Sequence, residues 1–99
     1  MGCKIIFAPE AIVDLAEAVR HIAKDDPETA RRVGHALIER VTILENFPLL
    51  GAPFPNRPGI RKLVSRPYLI FYRPRLEAQC VDILRYWHGA REEQPEFVG

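Results

Sequence analysis

Ile60-Arg61-Lys62-Leu63-Val64, Tyr68-Leu69-Ile70-Phe71-Tyr72-Arg73 and Val81-Asp82-Ile83-Leu84-Arg85-Tyr86-Trp87-His88 follow one another with only short gaps between them. Each run is rich in β-branched and aromatic residues and is bounded by Pro, Gly or charged residues, so each reads as a strand. The gaps, Ser65-Arg66-Pro67 and residues 74–79, suit an antiparallel meander. Strict alternation fails in Leu69 to Tyr72 and again in Ile83 to Trp87, where apolar groups fall on both faces. One face must meet whatever helices the chain supplies. The other is expected to carry exposed rings and cations, a binding surface by composition.

Outward from the meander, the N-terminal half supplies the helices. Cys3 to Phe7 is a short first strand whose neighbour in the sheet is open at this stage. Pro9 then fits the first position of a helix, with Glu10 and Asp14 near its positive end. Ile12, Leu15, Ala16, Val19, Ile22 and Ala23 fall at helical spacing, while Asp14, Glu17, Arg20, His21 and Lys24 take the other side. Asp26 is an expected N-cap for a second helix that starts with Pro27. Its stripe is Ala30, Val33, Leu37, Val41 and Leu44, broadened by Ile38 and Ile43. Gly34 in mid-helix costs about 1 kcal/mol relative to Ala, and a close helix crossing would explain it. Four prolines and two glycines break the chain between Phe47 and Gly59, yet Phe47, Leu49, Leu50 and Phe54 are expected to pack down. The order β-α-α-β-β-β predicts a two-layer α+β domain, a helical hairpin on a mainly antiparallel sheet. Residues 1–99 are one domain, with 92–99 expected as a flexible polar tail on which Phe97 folds back or stays free.

A hydrophobic content of 47% belongs to a globular chain. No apolar run approaches the roughly 18 residues a bilayer span needs, and Met1 to Glu10 has no signal-peptide pattern. The expectation is a cytoplasmic protein without a membrane partner. Cys3 and Cys80 are expected as free thiols, since two cysteines without a Cys-x-x-Cys make no zinc site. No phosphate loop, metal cluster or Ser/His/Asp arrangement is visible, so neither a cofactor nor a small-molecule substrate is expected. Net charge is +1, but it is unevenly spread. Residues 57–91 hold seven Arg and one Lys against two acids, a net +6; the rest hold six bases and eleven acids, a net −5. A basic sheet suits an anionic partner, nucleic acid or acidic protein.

The candidate contact residues are Arg61, Arg73, Arg85, Tyr86, His88 and Arg91. The arginines would grip an anionic partner; internal ion pairs are the alternative. Tyr72, Tyr86 and Trp87 would stack on bases or anchor a partner helix, and core packing is the simpler reading for Trp87. His88 is either a general base or a polar strand end bonded to the turn at Gly89. His21 and His35 are expected to be inert.

The stretch Ala11 to Ala23, then Pro48-Leu49-Leu50-Gly51, Pro58-Gly59-Ile60-Arg61, Tyr68-Leu69-Ile70-Phe71-Tyr72-Arg73 and Ile83-Leu84-Arg85-Tyr86-Trp87-His88-Gly89-Ala90-Arg91 together resemble the RelE/ParE superfamily of bacterial toxins. The resemblance covers nearly the whole chain in order. It implies the toxin of a type II toxin–antitoxin module, of the kind also called plasmid-stabilisation proteins, that causes growth arrest and is neutralised by a cognate antitoxin. ParE-like members inhibit DNA gyrase without known chemistry; RelE-like members cut mRNA on the ribosome. A nuclease would draw on His88, Arg61, Lys62, Arg85 and Arg91. Such nucleases resemble a pattern with arginine directly after the middle-strand tyrosine, whereas Tyr68 precedes Leu69, and the tail offers Phe97 in place of a tyrosine. The Pro-Gly-Ile-Arg entry and His-Gly-Ala-Arg exit are closer to ParE, so gyrase is the expected target. The ribosome with its mRNA is the alternative, and a non-toxic binding module of the same fold is the third.

Overall fold

In the computed structural model, which describes residues 2–97, the meander is the centre of the sheet. Strands β3 (Arg61–Ser65), β4 (Tyr68–Arg75) and β5 (Cys80–His88) pair antiparallel in sequence order. A two-residue strand β2 (Ala52–Pro53) edges β3, where proline's missing N–H is tolerated. Strand β1 (Lys4–Phe7) lies parallel to β5, with Lys4 opposite Cys80 and Phe7 opposite Ile83. The five-stranded order is β1-β5-β4-β3-β2, a mixed and mainly antiparallel sheet.

Helices α1 (Pro9–Ala23) and α2 (Pro27–Arg40) form the hairpin on one face. The Asp26 carboxylate caps α2, accepting from the Thr29 N–H at 3.1 Å and from its hydroxyl at 2.6 Å. At Gly34 an added Cβ would stand 3.0 Å from Val19 Cγ2, so the close crossing is real. After Arg40 the chain tightens into a 3-10 turn over Val41–Glu45, which brings Val41 and Leu44 into the core. The helix-side core is built from Ala11, Leu37, Val41 and Leu44 against Leu63, Ile70, Tyr72, Val81, Ile83 and Tyr86.

Helix α1 keeps Leu15, Val19, Ile22 and Ala23 on its inner side as expected, but departs from the expected stripe at two positions. Ile12 is 55% exposed and Ala16 is exposed, while Ala11 is fully buried and Asp14 turns inward. The reason is polar: Asp14 accepts from Arg85 and from the Tyr86 N–H, and those bonds set the helix face. Ile38 and Ile43, expected to broaden the α2 stripe, are exposed.

Between Phe71 and Tyr72 the β4–β5 register slips, so that Phe71 faces Arg85 and Tyr72 faces Ile83. Leu84 is the extra residue of a β-bulge. The bulge resets alternation: Ile83 and Tyr86 both reach the helix-side core, while Leu84 and Trp87 both reach the opposite face. The broken hydrophobic pattern of this strand is the trace of that bulge.

Candidate functional site

The face away from the helices carries the rings and cations, but it is not open. Ile60, Phe71, Leu84 and Trp87 form a second buried cluster there, covered by Phe54 of the proline-rich loop and by Phe97. This corrects the expectation of an uncovered aromatic–cationic surface. Where a flexible tail was expected, residues 93–97 lie along the sheet and Pro95 is buried; residues 98 and 99 fall outside the described residues. The tail stays because it answers polar groups the sheet would otherwise leave unpaired. Trp87 Nε1 donates to the Glu93 carbonyl at 3.2 Å, and Arg85 Nη1 donates to the Glu96 carbonyl at 2.8 Å. Phe97 packs edge-on against Phe54 and Phe71, with ring centroids at 6.1 and 5.5 Å.

Arg85 is engaged on three sides. Its Nε and Nη2 donate to the two Asp14 oxygens at 2.7 and 2.9 Å, a bidentate pair with side chains 18% and 9% exposed. Its guanidinium also lies 5.0 Å from the Trp87 ring, and that of Arg91 sits 3.6 Å from the same ring. Arg91 in turn pairs with Glu93 at 3.2 Å. The Glu93 carboxyl is held below its ordinary 4.5, first by its own backbone N–H and then by Arg91. Lys62 borders a cavity of about 190 Å³ between this face and the tail, together with Phe71, Trp87, Arg91 and Pro95.

Arg61 is placed elsewhere. Its Nη1 donates to the carbonyls of Leu49 and Gly51 at 3.1 and 2.7 Å, pinning the loop to the sheet edge. The Tyr72 hydroxyl accepts from the Gly51 N–H at 2.8 Å on the same edge. Arg73 lies on β4 at the register position of Asp82, whose carboxylate is bidentate to Arg75. Tyr86, expected at the binding surface, is 3% exposed in the helix-side core and donates its hydroxyl to the Leu37 carbonyl at 3.0 Å. Burial pushes that hydroxyl's pKa far up, so it stays a donor.

His88 ends β5. Its Nδ1 accepts from the Ala90 N–H at 3.1 Å, and its ring stands edge-on to Tyr68 at 5.3 Å. It borders a cleft of about 290 Å³ whose walls include Asp14, Glu17, His21 and Arg91. His21, expected to be inert, therefore shares a cleft with His88; nothing local in the sequence links a helix residue to a distant strand end. Among the described residues no group of three or more His, Cys, Asp or Glu could hold a metal ion. Both thiols are free, Cys3 partly buried and Cys80 buried. No helix among the described residues is long and apolar enough to cross a membrane.

In the described loop, Phe47, Leu49 and Leu50 are 60%, 51% and 50% exposed, and with Pro48 and Leu76 they line an apolar groove of about 400 Å³. They were expected to pack down; only Phe54 of the four does so. Arg61 fixes the loop by its carbonyls, which leaves these side chains pointing outward.

Two helices on a mixed sheet in this strand order make the RelE/ParE-like fold. The solved chromosomal ParDE toxin–antitoxin system from P. aeruginosa contains a chain 26% identical to this one, with a TM-score of 0.75 over 87% of this chain and 95% of that one. The toxin–antitoxin complex RelBE2 from Mycobacterium tuberculosis contains one 27% identical, with a TM-score of 0.67 over 89% of this chain and 99% of that one. A comparison with curated proteins found no match. The family profile described as the ParE toxin of the type II toxin–antitoxin system parDE matches residues 5–93. The chain belongs to the ParE toxin family.

Proposed function

We propose that this ParE toxin arrests growth by binding and inhibiting DNA gyrase, with no covalent chemistry of its own, and that a cognate antitoxin neutralises it. The observation that carries this reading is that Arg61 and Arg85, two of the cations a nuclease would need, are tied to internal partners and do not join His88 and Arg91 at their shared cleft. RNA cleavage requires a positioned base or acid and cations converging on one phosphate. Here Arg61 is spent on the Leu49 and Gly51 carbonyls, Arg85 on Asp14, and His88 Nδ1 on its own turn. Family membership and the likeness to the ParDE chain favour the same target class.

The antitoxin reading rests on the same likenesses, since both solved relatives are toxin–antitoxin systems. The apolar groups left in solvent suit such a partner: Ile12, Val13 and Ile38 on the helices, and Phe47, Leu49, Leu50 and Leu76 at the loop. Supercoiling by purified gyrase tests the proposal. Inhibition by the toxin, reversed by the product of the neighbouring gene, supports it. Unimpaired supercoiling together with mRNA cleavage on translating ribosomes, abolished by His88→Ala, would replace it with the RelE-like reading. Expression without any growth defect would leave only a binding module.

A further inference from the structure

The tail is fastened to the sheet by groups that any acidic peptide could offer. Carbonyls of Glu93 and Glu96 satisfy Trp87 and Arg85, the Glu93 carboxylate pairs with Arg91, and the Phe97 ring lies under the Arg57 guanidinium at 5.3 Å. Residues 92–97 belong to no strand or helix, so no ladder of backbone bonds holds them. The cavity of about 190 Å³ remains between tail and sheet, so the fit is incomplete. Charge is complementary as well: Arg57, Lys62, Arg85 and Arg91 border the face, and Glu92, Glu93 and Glu96 lie in the tail.

We propose that residues 93–97 form a detachable strap that occupies, in cis, a docking site for an extended acidic segment of a partner protein carrying an aromatic residue. The site lies on the sheet face opposite the helices. Its recognition elements are the Trp87 indole N–H, the guanidinium groups of Arg85, Arg91 and Arg57, and the paired Phe54 and Phe71 rings on which Phe97 packs. A peptide is favoured over a single nucleic-acid strand because the Trp87 ring already has Arg91 3.6 Å from its centre and Arg85 at 5.0 Å, which leaves it poorly placed to stack on a base. The tethered strap competes at high local concentration, so the site is masked until the strap is loosened or outcompeted.

Trp87 is the single tryptophan of the chain and touches the strap, so its fluorescence reports on this site alone. The test uses the full chain, wild type and Phe97→Ala, with Glu93→Lys as a second loosened variant that leaves the aromatic cluster intact. Acrylamide quenching of Trp87 is expected to rise in both variants. The probe is a peptide with the sequence of residues 92–97, titrated against each protein. It is expected to bind the variants roughly ten-fold or more tightly than wild type, because a masked site shows an affinity reduced by its open fraction. A peptide with Gln in place of each Glu is expected to bind more weakly. Equal quenching and equal binding across the three proteins would overturn the strap. A Gln peptide as tight as the acidic one, or a thymidine oligonucleotide that outbinds the peptide on the variants, would overturn the assigned occupant. None of these readouts involves gyrase, so the result stands apart from the proposed target.

Discussion

Replacing Asp14 by alanine decides whether Arg85 is a structural residue or a free cation. In the folded chain the Asp14 carboxylate accepts from Nε and Nη2 of Arg85 and from the Tyr86 N–H, at 2.7, 2.9 and 3.1 Å. Removing one partner of a fully buried ion pair costs about 3–5 kcal/mol. This pair is partly buried, and Arg85 would keep the Glu96 carbonyl and the Trp87 ring, so about half that figure applies. The orphaned Tyr86 N–H adds about 1 kcal/mol. The expected loss is thus roughly 2.5–3.5 kcal/mol, or a fall of about 12–17 °C in melting temperature for a domain of this size. Urea denaturation of wild type, Asp14→Ala, Arg85→Met and the double variant isolates the pair. A coupling energy of about 2 kcal/mol is expected, since neighbours that share a bond do not add. If Asp14→Ala costs under about 0.5 kcal/mol, as for an exposed pair, the reasoning fails. Arg85 would then offer a partner its whole guanidinium rather than the Nη1 that now reaches the Glu96 carbonyl.

At Gly51 an added Cβ would stand 2.6 Å from the Lys62 carbonyl and 2.8 Å from the Tyr72 ring, so Gly51→Ala should cost about 1–3 kcal/mol in chemical denaturation. An unchanged urea midpoint would show that the loop moves aside freely. Asp26→Ala should lower the melting temperature by a few degrees at neutral pH, through loss of the α2 cap. The Asp26 carboxyl is held below its ordinary 3.8, first by the Thr29 hydroxyl and then by the Thr29 N–H. A depressed folded pKa gives stability that is present above the ordinary value and is lost as the pH falls through the depressed one. The gap between wild type and Asp26→Ala should therefore close below about pH 4; a gap that persists in acid would mean that the charged carboxylate is not what holds the cap.

The meander, both helices and the Asp26 cap were legible in the sequence because each is written locally, in periodicity or in a capping residue. The place of β1 was not. Its parallel partner β5 lies more than seventy residues away, and no turn between them sets a register. The inward stripe of α1 was misplaced at Ile12, Asp14 and Ala16 because hydrophobic spacing ignores a carboxylate with a bidentate partner on a distant strand. The bulge at Leu84 left a visible mark, the failed alternation in β5, but such a mark has meaning only once register is known. Tyr86 and His21 changed roles for the same reason: which side of a strand or helix a residue occupies depends on contacts the local sequence does not contain.

The charge asymmetry carries a further lesson about partners. A basic stretch of net +6 beside a remainder of −5 reads as a cationic face awaiting an anion. In the folded chain much of that complementarity is consumed internally, since Asp14 of α1 and Glu93 of the tail lie on the arginines of the sheet. Sequence-distant acids and bases attract one another as readily as they attract a ligand, and the intramolecular pair meets at far higher local concentration. The fold also leaves aliphatic and aromatic groups in solvent: Ile12 and Val13 on α1, Ile38 on α2, Phe47, Leu49 and Leu50 on the loop. Burying apolar groups of this kind contributes on the order of 25 cal/mol per Å², whereas an exposed ion pair contributes little. Affinity for an antitoxin should therefore depend on these apolar groups and resist added salt. Salt sensitivity should appear only where a partner has to displace the acidic tail.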